Sequence, residues 1–256
     1  MQSAPLSRAE IDSFHQQGFL IVRGLADAAL REAILAVGMQ QLRDAVAPIE
    51  YEADTRYPGA PASRDATGGL TVRRLLKVYA RDEAFRRWAH HPAVCERVKQ
   101  LLDTPHIALT QAHHNSLMTK QPAFSSVTHW HRDIRYWNFE QNNLISVWLA
   151  LGAETRDNGC LGFLPGSHRL TLDQDRFENR AFLRGDHPDN QPLLDSAIYP
   201  ELAAGDVVFF HAETFHAAGW NRTAATKHSL VFGYHRQDNR PIAGTRSASE
   251  ATVLID

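Results

Sequence analysis

At about residue 106 the spacing of apolar residues changes from a helical period to a period of two, and this switch limits the architecture more than any other feature. Before it, "LSRAEIDSFHQQG" opens with a capping box, Ser7 followed three residues on by Glu10. Ile11 and Phe14 recur at helical spacing and Gly18 is a natural stop. "FLIVRG" reads as a short strand, and "DAALREAILAVGMQQLRDAV" as a second helix. Residues 49–70, rich in Pro, Gly, Asp and Ala, read as a loop. "DEAFRRWAHHPAVCERVKQLL" is helical and interrupted at Pro92. After the switch come strand-like pieces bounded by turn formers: "HIALTQAHHNSLMTK", "VTHWHRDI", "NLISVWLALG", "CLGFLP", "GDVVFFH", "TFHAAGW" and "HSLVFGYH". Helices first and short strands in series after predict an α+β domain whose strands close as a sandwich or barrel. The polar segment 169–198 reads as an insertion, a loop or lid.

A chain of 256 residues is long enough for one large domain with a full core. Its formal charge of -2 carries no basic excess for nucleic acid. No apolar run reaches the length of a membrane span, and "MQSAPLSRAEIDSF" has neither the basic start nor the apolar stretch of a secretory signal. Cys95 and Cys160 show no metal or disulfide spacing and read as free buried thiols of a cytoplasmic protein.

With fourteen histidines, no single one is a persuasive ligand. His90 and His91, and His113 and His114, read as core or wet-edge residues, and His168 in "LPGSH" as a loop cap. "HWHRD" is different. On an extended strand His129, His131 and Asp133 share one face. Two imidazoles and one carboxylate on one face of an octahedron are the donor set of mononuclear non-haem iron. The third ligand then comes from "GDVVFFHAETFHAAGWN", where His211 and His216 would lie on opposite faces of a continuous strand. A solvated strand edge with His–Asp hydrogen bonds explains the same triplet equally well.

"HWHRDIRYWNFEQNNLISVWLAL", "DNGCLGFLPGSH" and "GDVVFFHAETFHAAGWN", in that order, resemble the phytanoyl-CoA dioxygenase family of Fe(II)- and 2-oxoglutarate-dependent oxygenases. "LSRAEIDSFHQQGFLIVRGL" and "DEAFRRWAHHPAVCERVKQLLDTPHIAL" resemble its N-terminal part. The resemblance implies a double-stranded β-helix (a cupin-like jelly roll) within a single domain over 1–256. Residues 1–105 would be mainly helical support and 106–240 the core. It implies that His131, Asp133 and His216 hold Fe(II) and that 2-oxoglutarate and O2 are consumed; His129, then not a ligand, either lines the rim or supports the site from the shared face, or is a plain exposed histidine. It further places Trp148, Ser116, Lys120 and Lys77 at the cosubstrate. Where the family has an arginine that grips the far carboxylate of 2-oxoglutarate, this chain has Lys227, with Arg222 as the substitute. An ammonium lacks the planar fork of a guanidinium, so the anchor here departs from the family pattern. The intact Asp133 carboxylate implies oxidation without halide.

If the strand continued past Asp133, Arg135 and Trp137 would also face the pocket, pointing to a small anionic substrate beside an apolar wall. Two other readings compete: a cupin-type metalloenzyme using His129 and His131 without 2-oxoglutarate, and a small-ligand-binding protein without turnover. The expected assembly is a monomer or homodimer, with no nucleic-acid or membrane partner.

Overall fold

The structure, a computed structural model, describes residues 4–55, 57–179 and 181–255. Residues 1–3 of the N-terminal stretch, and single positions within the 49–70 and 169–198 segments, lie outside them. The helical half consists of α1 (Arg8–Gln17), α2 (Ala28–Arg43), α3 (Val78–Arg81), α4 (Glu83–Ala89) and α5 (Pro92–Leu101). The capping box forms as expected: Ser7 Oγ accepts from the Glu10 amide, the Glu10 carboxylate accepts from the Ser7 amide, and Gly18 ends α1 at φ 85°. The interruption at Pro92 is a restart: the proline is the first residue of α5.

The strands are β1 (Phe19–Val22), β2 (Ile49–Tyr51), β3 (Val72–Leu76), β4 (Ile107–Lys120), β5 (Thr128–His131), β6 (Leu144–Ala150), β7 (Leu161–Phe163), β8 (Phe177–Glu178), β9 (Phe182–Leu183), β10 (Val207–His211), β11 (His216–Ala218), β12 (Lys227–Arg236) and β13 (Val253–Ile255). Eight build a large antiparallel sheet in the order β1-β10-β6-β12-β4-β3-β2, with β13 beside the start of β4. A small sheet, β5-β11-β7, completes the jelly roll. The predicted boundary at 105 is therefore not clean. β1, β2 and β3 come from the first part of the chain, and β13 from beyond 240. β2 also falls inside the predicted 49–70 loop. These strands are short and half-buried, and their partners lie elsewhere in the chain, so local pattern does not reveal them.

Strands buried on both faces explain the continuous apolar runs. In β6, Ile145, Val147 and Leu149 join the core against the helices, while Trp148 and Ala150 join the core between the sheets. β10 divides in the same way, Val207 and Phe209 outward to the helices, Val208 and Phe210 inward. Helices α1, α2, α4 and α5 cover the outer face with Phe14, Ile34, Phe85, Trp88 and Val98. A Cβ on Gly38 of α2 would lie 2.6 Å from the Leu117 Cδ2 methyl of β4, so a side chain there would have to shift that methyl where helix packs on sheet. The 169–198 segment is more than loop: it holds the β8–β9 hairpin and a short helix, α6 (Gln191–Asp195). Both cysteines are free and buried, and burial pushes their thiols up to about 12 (Cys95) and about 11 (Cys160). No helix among the described residues is long and apolar enough to cross a membrane.

Phe209 is fully buried between sheet and helices. Phe209→Ala is expected to cost about 3–5 kcal/mol in chemical denaturation, against under about 0.5 kcal/mol for Leu254→Ala at an exposed position.

Candidate metal centre

His131 is the last residue of β5 and His216 the first of β11, and the two are directly paired across the small sheet. Their rings lie 4.2 Å apart between centroids. The chain leaves β5 at Arg132 and enters a 3-10 turn, Asp133–Tyr136, which brings the Asp133 carboxylate back toward both rings. Asp133 Oδ1 is 3.5 Å from His216 Nε2 and 3.9 Å from His131 Nε2. The three candidate ligand atoms lie within 4.8 Å of one another, all three residues are buried, and they form a metal-sized cluster among the described residues.

The hydrogen bonds behind the rings fit a metal. His131 Nδ1 donates to the His129 carbonyl at 2.8 Å and His216 Nδ1 to the Thr214 carbonyl at 3.0 Å. Each proton is thereby held on the far nitrogen, leaving both Nε2 lone pairs aimed at the centre. Burial holds His131 well below the usual imidazole range, so it is a neutral donor at neutral pH. Burial pushes the Asp133 carboxyl up, but His114, His216, His131 and the Ser146 hydroxyl outweigh it, and the group is held below the ordinary value as a carboxylate. Two neutral imidazoles and one carboxylate, with one side open to a cavity, are a set that Fe(II) accepts.

The cavity of about 260 Å³ runs between the two sheets. At one end Lys227 and Lys120 face each other as direct cross-strand partners on β12 and β4. Lys227 Nζ donates to Glu154 Oε2 at 3.1 Å and to Ser229 Oγ at 3.1 Å. Glu154 also accepts from Trp148 Nε1 and from Ser229 Oγ. Lys120 Nζ donates to the Ser126 carbonyl at 2.7 Å. Burial, reinforced by Arg73 and Lys227 against Glu52 and Glu154, pushes Lys120 down to about 7. Ser116 and Trp148 line the same cavity.

Of the residues singled out in the sequence, the structure brings together His131, Asp133, His216, Lys227, Lys120, Trp148, Ser116 and Trp137. It leaves others apart. Lys77 begins α3 in an ion pair with Glu250 and is not in the cavity wall. Arg222 lines a different surface depression, together with His129, which is exposed. Arg135 does not point inward, because β5 has already ended. Its guanidinium lies over Phe182 at 4.0 Å, donates to the Ala181 carbonyl, and contacts the Tyr136 hydroxyl. His211 and His216 are not on one strand either: the first ends β10 in the large sheet, with its ring beside His168, and the second starts β11 in the small one.

Sequence reasoning missed His113 and His114. Residues 111–114 have no partner on β12, where Phe232 pairs with Asn115 and the next residue, Gly233, with Thr110. This bulge swings both imidazoles into the cavity wall. His114 Nε2 is 3.3 Å from Asp133 Oδ1, and burial pushes the ring down to about 4. Tyr57 and Phe182 were missed as well. Tyr57 lines the cavity, and the Phe182 ring lies 6.1 Å from that of His131. An irregular bulge and distant loops leave no periodic signal. The chance to find His114 lay in its doublet, but a histidine pair fits a core or a wet edge equally well.

A jelly roll with two imidazoles and a carboxylate gathered between its sheets defines a mononuclear non-haem metal enzyme. The chain matches the family described as Phytanoyl-CoA dioxygenase (PhyH) over residues 14–229. A probable phytanoyl-CoA dioxygenase of Caenorhabditis elegans is 31% identical over 175 residues, 64% of this chain and 54% of that protein. The ectoine dioxygenase of Halomonas elongata is 26% identical over 92% of this chain and 72% of its own length. Among solved structures, the epimerase SnoN, in complex with Fe3+, alpha ketoglutarate and nogalamycin RO, is similar with a TM-score of 0.73 at 21% identity, over 91% of this chain and 84% of that one. That last likeness bears on the fold. The chain belongs to the phytanoyl-CoA dioxygenase family, and so to the Fe(II)- and 2-oxoglutarate-dependent oxygenases.

The geometry separates the H-x-D set from the H-x-H alternative. His131→Ala and His216→Ala are each expected to abolish tight Fe(II) or Mn(II) binding in calorimetric titration, whereas His129→Ala and His211→Ala leave it unchanged.

Proposed function

We propose that the protein is a 2-oxoglutarate-dependent dioxygenase that hydroxylates an unactivated C–H bond of a small metabolite. Substrate, O2 and 2-oxoglutarate become hydroxylated product, succinate and CO2, one oxygen atom entering the product and the other succinate. The observation that carries this reading is the buried triad with both Nε2 lone pairs turned toward Asp133. Fe(II), held by His131, Asp133 and His216, would supply the O2 chemistry. The chain's own part is to hold three donors, orient 2-oxoglutarate and the substrate, and limit water in the cavity. That Fe and 2-oxoglutarate are bound by relatives of this fold supports the assignment.

Lys227 and Lys120 take the far carboxylate of 2-oxoglutarate in this reading. Directly opposed like charges destabilise a strand pair, and an anion between them removes the repulsion. Lys227 already shares Glu154, so Lys120, which has no carboxylate partner among the described residues, supplies the uncompensated charge. Tied in this way, Lys227 replaces the family arginine as one member of a pair. Lys77 and Arg222, by their positions, have no part in it.

Adding 2-oxoglutarate to the anaerobic Fe(II) protein is expected to produce a weak visible charge-transfer band, absent in His216→Ala. Iron binding without the band would overturn the proposal. The lysine pair has its own signature. At pH 8 Lys120 is mostly neutral in the free protein, and a bound carboxylate favours its ammonium form. Cosubstrate binding is therefore expected to take up a proton at pH 8 and to weaken as pH rises above 7. Calorimetry in buffers of different ionisation enthalpy checks this, and Lys120→Met should remove both effects.

A further inference from the structure

The wall of the cavity carries five long cations: Arg73, Arg74, Lys120, Lys227 and Arg246. Four are engaged. Arg73 faces Glu50 and Glu52, and Arg74 pairs with Glu50 at 2.6 Å. Lys227 pairs with Glu154, and Lys120 donates to Ser126. The Arg246 guanidinium makes no hydrogen bond, ion pair or ring contact with any described residue. The one acidic residue in the wall is Asp133, which belongs to the metal centre. Arg246 is an exposed residue and its head is hydrated; standing in the wall of the cavity with five donors and no acceptor from the protein, it is available to an acceptor on a ligand.

Its position is built. Arg246 opens a 3-10 turn, Arg246–Ala248, in the C-terminal segment. The next residue, Ser247, is fully buried; its hydroxyl lies 2.7 Å from His113 Nε2 and accepts from the Asn138 amide at 2.7 Å. These bonds pin the segment to the bulge of β4 and to the stretch after Asp133. The His113 ring stacks on Trp137 at 5.3 Å, and Trp137 also meets His114 edge-on at 5.1 Å. Arg246 thus stands beside an aromatic surface that leads from His113 through Trp137 to His114 and Asp133.

We propose that Arg246 selects a substrate bearing a single carboxylate, whose apolar body lies along Trp137 toward the metal centre. This deepens the proposed function and rests on its assignment of the lysine end to 2-oxoglutarate. One unpaired guanidinium matches one negative charge, and its two parallel N–H groups match the two oxygens of a carboxylate. Arg246 takes over the role that the sequence suggested for Arg135, whose head is stacked on Phe182 instead.

The test uses the Mn(II) protein saturated with 2-oxoglutarate under anaerobic conditions and titrated with benzoate and with benzamide, which share shape but not charge. Benzoate is expected to bind about tenfold tighter or more, the scale of one charge-assisted pair. Arg246→Gln should abolish that preference while leaving benzamide binding and the Kd of 2-oxoglutarate unchanged, and Arg246→Lys should retain part of it. Equal binding of the two probes by the unmodified protein, or a preference that survives Arg246→Gln, overturns the proposal. So does a weakened 2-oxoglutarate Kd in Arg246→Gln, which would place Arg246 at the cosubstrate. Failure of 2-oxoglutarate to bind the unmodified protein would instead refute the function on which the proposal rests, and is seen in a separate titration.

Discussion

The direct pairing of His131 with His216 across β5 and β11 is the contact on which the site depends. Two backbones held at strand spacing bring two imidazoles to 4.2 Å, and the carbonyls of His129 and Thr214 turn each ring so that its lone pair faces inward. Everything else serves that pair. Phe163 of β7 backs β11, Phe210 of β10 packs 4.9 Å from the His216 ring, and the large sheet closes the other side of the cavity. The helices make that large sheet rigid by burying its outer face, which is why so much of the chain lies far from the chemistry.

The cavity is organised by charge along its length. A lysine pair with one shared glutamate lies at one end, the metal ligands farther along, and an unpaired guanidinium in the wall near Trp137. Of these cations Lys120 and Lys227 are buried without full compensation, which is costly to fold around, and such cost is commonly tolerated where a ligand removes it. In the proposed function a lysine pair stands in for a single anchoring arginine: the compact ammonium of Lys227 is tied to Glu154 and lies opposite Lys120.

The helices were legible because each carries its own signals: the Ser7 capping box, Gly18 at the end of α1, Pro92 at the start of α5. The long core strands were legible because β6 and β10 are near-continuous apolar runs and β4 and β12 are extended segments bounded by turn formers. β2 and β3 were not, since three to five half-buried residues acquire strand character only from a distant partner. The His114 bulge, the turn that ends β5 before Arg135, and the approach of Arg246 have the same character. Each depends on where the backbone departs from regularity, and periodicity says nothing about that.

By itself the sequence supplied the class, through its resemblance to the family, and a short set of candidate donors, His129, His131, Asp133, His211 and His216, in an α+β chain. Those are properties of residue identity and order, which folding does not change. Only the tertiary structure decided which side chains share the cavity. It put Arg246, His113 and His114 in, and kept Lys77, Arg135 and Arg222 out. Direction in space is set by bulges, turns and the packing of one sheet on another, and these follow from the energy of the whole molecule and not from any local stretch.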